Sequence, residues 1–243
     1  MEITVDLPSF FSMKILTLET STMIGSIALS EDDQLLGEYQ IRIKETYSDT
    51  ILPLIDHLLT VLSLSIRDID GFALALGPGS FTSLRIGVSI IKGLAFSTHK
   101  PVVGIPSLDG LAQNVCFSKN VLVCPVVDAR KGEVYTAFYR GEGGQFLTKL
   151  TPEKAITPQK LLDEIKEEVI FLGDGVDLYG KMIGDRLKEK ALFAPPALRY
   201  PKASTITYLA LQKFKNGEVS YSDDIIPLYV RLSEAEIKCE KRR

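Results

Sequence analysis

Apolar positions along this chain fall into short runs whose period changes repeatedly between two residues and about three and a half. The run K-I-L-T-L-E (14–19) reads as a strand, Thr20-Ser21-Thr22 as a tight hydroxyl-rich turn, and G-S-I-A-L-S (25–30) as the returning strand. A third strand over 35–43 completes a β-meander. Thr46 and Asp49 have the T-x-x-D spacing of a helix start, and 51–62 then follows a helical period. In that helix Ile51, Leu52, Leu54, Ile55, Leu58, Leu59, Val61 and Leu62 span an arc of about 180°, wider than the roughly 100° stripe one buried face needs. Pro53 should kink the helix or mark its first turn. A buried strand over 70–76, the loop Gly77-Pro78-Gly79-Ser80, a helix over 81–98 slimmed by Gly87, Gly93 and Ala95, a strand over 102–105 and a helix from Ser107 to Val115 follow.

Near Asn120 the pattern restarts. A strand over 121–128, a turn over 129–132 and a returning strand over 133–139 repeat the strand, acid, turn, strand order of the opening, with Asp128 in the place of Glu19. A helix over 158–167, a strand over 169–172 ending in Gly173-Asp174-Gly175, a helix over 176–183, a proline-rich loop over 195–201 and a helix over 204–215 lead to Pro227-Leu228-Tyr229-Val230-Arg231. Strands alternating with helices in two successive sets predict an α/β protein of two lobes. The expected division is an extension over 1–12 outside the fold, a first lobe over 13–118, and a second lobe over 119–243 whose last segment packs back on the first.

Composition narrows this picture. No run approaches the roughly 18 apolar residues of a membrane helix, and residues 1–12 carry Glu2 and Asp6 but no basic residue. A soluble, cytoplasmic protein without membrane contact is expected. The three cysteines, Cys116, Cys124 and Cys239, form no C-x-x-C, which argues against a disulfide framework or zinc knuckle and fits a reducing compartment. A net charge of −3 lacks the basic excess of a protein that holds nucleic acid alone. The basic tail Lys238, Lys241, Arg242 and Arg243 is interleaved with Glu236 and Glu240 and reads as a solvated helix end.

Two readings of the chemistry stay open. At Gly77-Pro78-Gly79-Ser80-Phe81-Thr82 a strand ends and a helix begins, so free N–H groups and the positive end of the helix dipole favour an anion there. An ordinary turn with Ser80 as N-cap explains the same residues, and no Gly-Lys-Ser/Thr follows to make a Walker loop. Thr20, Ser21 and Thr22 suit either a phosphate or a hairpin turn. Glu19 and Asp128, closing equivalent strands, would hold Mg²⁺ through water if they faced each other across a cleft. With only His57 and His99, neither in a metal-ligand pair, a histidine-based metal site is not expected.

The strings I-L-T-L-E-T-S-T (15–22), L-P-L-I (52–55), G-P-G-S-F-T-S-L-R-I-G (77–87), D-A-R-K-G-E-V-Y (128–135) and P-L-Y-V-R (227–231) occur in this order. Together they resemble the TsaB (YeaZ) family of tRNA-modification proteins. The resemblance implies the two-lobed actin/Hsp70/sugar-kinase (ASKHA) fold. It also implies a subunit without catalysis of its own, acting with the catalytic paralogue TsaD and the ATPase TsaE in threonylcarbamoyl transfer to N6 of adenosine 37 of tRNAs reading ANN codons. On this reading tRNA is held only through the complex, no metal or cofactor belongs to the chain, and a nucleotide makes at most weak contact at the level of the complex. The loops that would face an anion or nucleotide are Thr20, Ser21 and Thr22, then Gly77, Pro78, Gly79, Ser80 and Thr82, then Gly173 and Gly175. The first two helices would form the contact with TsaD, or with a second copy in its absence. One edge of the first, either Leu52, Ile55 and Leu59 or Leu54, Leu58 and Val61, would then be free. The chain departs from the family at Glu19, where Asp is usual, and at Tyr47, where many members have His. The alternative reading is an independent enzyme of the same fold, a kinase or a glycoprotease-like peptidase.

Overall fold

The opening meander is β1 (Lys14–Glu19), β2 (Ile24–Glu31) and β3 (Gln34–Arg42) in the computed structural model, which describes residues 12–43, 47–117, 120–142 and 144–231. Then come α1 (Tyr47–Val61), β4 (Gly71–Gly77), α2 (Phe81–Thr98), β5 (Val102–Pro106) and α3 (Ser107–Gln113). The second half carries β6 (Leu122–Arg130), β7 (Glu133–Thr136), β8 (Tyr139–Gly141), β9 (Leu147–Lys149), β10 (Lys154–Ile156), α4 (Pro158–Glu164), β11 (Val169–Leu172), α5 (Gly175–Leu187), β12 (Ala191–Phe193), α6 (Pro196–Arg199) and α7 (Ala203–Lys215). The expected extension over 1–12, apart from Ser12, lies outside the described residues, as do Thr46 of the helix-start pair, Cys239 and the basic tail.

The five-stranded sheet runs β3-β2-β1-β4-β5 and the other β10-β7-β6-β11-β12, with β8 and β9 off that path. Directions match as well as order. In each sheet two antiparallel pairings lead to a central strand and two parallel pairings follow it. The repeated hairpins are explicit in the register, where Leu18 faces Ile27 and Val127 faces Tyr135.

Period-2 alternation sends the two faces of the first sheet to different helices. Leu16, Leu18, Phe72 and Leu74 pack with Ile51 and Ile55 of α1 and Val88 and Ile91 of α2. Ile15, Ala73, Val103 and Ile105 pack with Ile206, Leu211 and Phe214 of α7. On that side the Thr207 hydroxyl donates to Thr17 Oγ1 at 2.7 Å. Glu38 of β3 accepts from the Ser204 N–H at 2.9 Å, placing a carboxylate at the positive end of α7. The second sheet has α3 on one face and α4 and α5 on the other. Helices α3 and α7 therefore lie between the sheets, so close that a Cβ on Gly110 would stand 2.2 Å from Ile206 Cδ1.

The structure redraws some sequence boundaries. The strand expected over 133–139 splits into β7 and β8, and the short strands β9, β10 and β12 and the single turn α6 had no separate signal. Pro53 is the seventh residue of α1, beyond its first turn.

Candidate functional site

Between the lobes lies a cleft of about 530 Å³. On the first-lobe side its wall is the loop after β1. Glu19 is fully buried, and its Oε1 accepts the Ser21 N–H at 2.5 Å. Its Oε2 and the Ser21 hydroxyl oxygen have no hydrogen-bond partner among the described residues. Burial pushes the Glu19 carboxyl up to about 7, against the opposing pull of its contacts with Ser21. Thr20, Ser21 and Thr22 are buried too, because the glycine loop closes over them. The Ser80 N–H donates to the Ser21 carbonyl at 2.8 Å, and a Cβ on Gly79 would stand 2.2 Å from that same oxygen. Gly87 leaves no room for a Cβ beside Thr20 Oγ1. Ser80 occupies the N-cap position of α2 without a side-chain capping bond, and its hydroxyl accepts from Ser83 instead. Tyr47, the first residue of α1, donates its hydroxyl to the Thr22 carbonyl and lines the cleft.

On the second-lobe side the Asp128 N–H donates to Asp174 Oδ1 at 3.0 Å, and Arg130 pairs with the Asp128 carboxylate at 3.0 Å. Burial, with the Asp128 charge adding to it, holds the Asp174 carboxyl above its ordinary range. The β6–β7 turn at the lip has three successive residues at positive φ, Arg130 at 62°, Lys131 at 55° and Gly132 at 76°. Side chains other than glycine pay about 1 kcal/mol or more for that conformation, and such strain clusters at functional sites.

Of the loop residues singled out in the sequence, Ser21, Thr22, Gly79, Ser80 and Thr82 line the cleft, whereas Thr20, Gly77, Pro78, Gly173 and Gly175 do not. Gly173 and Gly175 pack on the Val126 carbonyl, where a Cβ would come within 2.2 and 2.8 Å. Asp174 between them is the residue that reaches the cleft. The proposed Glu19–Asp128 pair does not form, because Glu19 lies behind its own loop while Asp128 stands in the cleft beside Asp174. Among the described residues no three His, Cys, Asp or Glu side chains gather as a metal-binding group. Sequence reasoning overlooked Asp174 and Tyr47 as lining residues. The first had a signal, a carboxylate between two glycines at a strand end; the second stood out only as a departure from the family, where many members have His.

The helix pair presents a second candidate surface. Ile51, Ile55, Leu58 and Leu59 are buried, and Leu54 and Leu62 are partly buried against the core. Leu52 is 47% and Val61 61% exposed. Neither expected edge is therefore wholly free; each contributes only its outermost residue, on opposite flanks of α1. His57, on the Val61 flank, stacks on Tyr39 of β3 at 5.9 Å, which turns the Leu52 flank toward α2. There α2 carries the partly buried Ile86 and Ile90 and an exposed Gly93, where a Cβ would meet nothing within 4 Å.

Relatives align along nearly the whole chain. A protein of Bacillus subtilis called tRNA threonylcarbamoyladenosine biosynthesis protein TsaB is 34% identical over 93% of this chain and 97% of its own length. The protein of the same name from Escherichia coli is 31% identical over 90% and 95%. The chain belongs to the TsaB family. The family model described as TsaD, tRNA N6-adenosine threonylcarbamoyltransferase, matches residues 37–239. A threonylcarbamoyltransferase of Kosmotoga olearia, by contrast, is matched over only 34% of its length, at 36% identity over 40% of this chain, so TsaB is the description that fits end to end. YeaZ from Pseudomonas aeruginosa superposes with a TM-score of 0.76 at 26% identity, covering 89% of this chain and 99% of that one. The activator of 2-hydroxyisocaproyl-CoA dehydratase from Clostridium difficile, solved with ADPNP, shares the two-lobed ASKHA architecture at a TM-score of 0.53 and 8% identity, covering 90% of this chain and 100% of that one. No described helix is long and apolar enough to cross a membrane.

Proposed function

We propose that this TsaB-family chain is the non-catalytic partner subunit in threonylcarbamoyl transfer to adenosine 37 of tRNA. In this reading it docks on a TsaD-like catalytic subunit, works with a TsaE-like ATPase, meets tRNA only within that complex, and pairs with a second copy when the paralogue is absent. The observation that carries the reading is the apolar α1–α2 face. The exposed Leu52, the half-buried Ile86 and Ile90 and the bare backbone at Gly93 lie on two adjacent helices, and apolar surface left uncovered in this way supports a docking role. Gly93 adds close approach, since a partner helix meets no side chain there.

The test is light scattering of the isolated chain and of its mixture with a TsaD-like subunit. Leu52→Glu and Gly93→Glu should each weaken both associations at least tenfold. Stability should change by about 0.5 kcal/mol or less, as expected at exposed positions. Val61→Glu, on the opposite flank, should leave association unchanged. Wild-type association by the Leu52 and Gly93 variants, or threonylcarbamoyl transfer by the isolated chain, would overturn the reading.

A further inference from the structure

The segment Leu228–Arg231 crosses the mouth of the cleft from one lobe to the other. On the first lobe the Leu228 N–H donates to the Leu76 carbonyl at 2.8 Å, continuing from the end of β4. The Leu228 carbonyl lies so near Gly77 that a Cβ there would be 2.8 Å away. Tyr229 stacks on Phe81, the first residue of α2, with centroids 4.6 Å apart and planes 8° from parallel. Arg85 donates from Nε to the Tyr229 hydroxyl at 3.0 Å, its guanidinium 5.7 Å from both ring centroids. One residue later the contacts belong to the second lobe. Val230 packs on the core that holds Val127 and Tyr135. Arg231 donates to Glu133 Oε2 at 2.9 Å and to the Ala129 carbonyl at 3.1 Å, and its side chain lines the cleft.

The two ends differ in kind. The first-lobe end combines a backbone bond in a snug groove with a stacked aromatic pair, both insensitive to salt. The second-lobe end rests on a partly buried valine and an ion pair whose side chains are 25% and 32% exposed, a contact that water and salt screen. Arg231 meets the β6–β7 hairpin beside the turn held at positive φ.

We propose that Leu228–Arg231 is an inter-lobe latch, fixed at Tyr229 and released at Arg231, that sets how far the cleft opens. Breaking the Arg231 contacts frees the second-lobe end while both sheets keep their cores. The latch acts on the cleft itself and does not depend on the partner reading of α1 and α2.

Hydrogen exchange of the full chain, followed by mass spectrometry, tests it with Arg231→Ala and with Glu133→Gln, which removes the charge from the other lobe. Segments 20–24, 78–83 and 126–131 should exchange about fivefold faster in both variants, the loss expected for one partly exposed ion pair. Segments 15–18, 72–74 and 122–124 in the sheet interiors should be unchanged. In wild type, raised salt should reproduce the effect on the cleft segments. Unchanged cleft exchange in both variants overturns the proposal. So does a rise of equal size in the sheet interiors, which would make the segment a general stabiliser of the fold.

Discussion

Glu19 shows how a residue's chemistry depends on a few ångströms of depth. A buried carboxyl with one unpartnered oxygen favours the neutral form, and its raised value near 7 follows. Because the folded state holds this proton more tightly than the unfolded chain, the stabilisation is fully present below pH 4.5 and is lost as pH rises toward 7. The shift corresponds to about 3 kcal/mol. Glu19→Gln should therefore flatten the fall in stability across that range and be the more stable protein at pH 8, as measured by denaturant unfolding at pH 5 and pH 8. A wild-type curve with no such fall would show that the carboxylate finds compensation when ionised. The sequence placed an acid at the end of β1 correctly and left open whether it faced a cleft; the structure sets it back from the opening. The reason is that three further buried residues, Thr20 to Thr22, lie between it and the opening. Those residues are buried because glycines at 79 and 87 let a loop and a helix close over them, a contact between segments some sixty residues apart that no local pattern reveals.

At the scale of elements, α2 carries two glycines with opposite meanings. Gly87 stands against Thr20, with 2.3 Å from a Cβ position to Oγ1, whereas Gly93 faces open space. Alanine at 87 should destabilise by about 1 to 3 kcal/mol through overpacking. Alanine at 93 should stabilise by about 0.5 to 1 kcal/mol through helix propensity. Thermal unfolding of the two variants reads both signs, and equal shifts would mean that helix propensity alone governs this helix. Both glycines read alike in the sequence, as a thin face. The α1 arc was more legible. Its width exceeded one buried stripe, and the surplus appears as exposed Leu52 and Val61. That the surplus divides between the flanks follows from where β3 and α2 sit, which the helix's own period does not encode. The three-residue strands β9, β10 and β12 stayed hidden because three residues are too few to display a period of two.

For the whole molecule, the two matching sheets were visible as a repeated hairpin, and the common strand order extends that repeat to five strands on each side. The near-balanced charge also acts at this scale. With 28 basic and 31 acidic residues, few phosphates can be neutralised together, so the isolated chain should hold tRNA weakly and with a shallow salt dependence. Gel-shift titration at physiological salt checks this, and submicromolar affinity would contradict it. The sequence expected the last segment to pack back on the first lobe, but not the full exchange of helices in which α7 serves the first sheet and α3 the second. That exchange has a consequence for biosynthesis. The face of the first sheet bearing Ile15, Ala73, Val103 and Ile105 packs against α7, some hundred residues further along the chain. At about 5 to 20 residues per second the ribosome takes roughly 5 to 20 seconds to deliver that cover. The first lobe therefore emerges with much of one greasy side uncovered and should not finish folding until α7 has been synthesised, which makes the nascent chain a natural client for chaperones that shield apolar sheets.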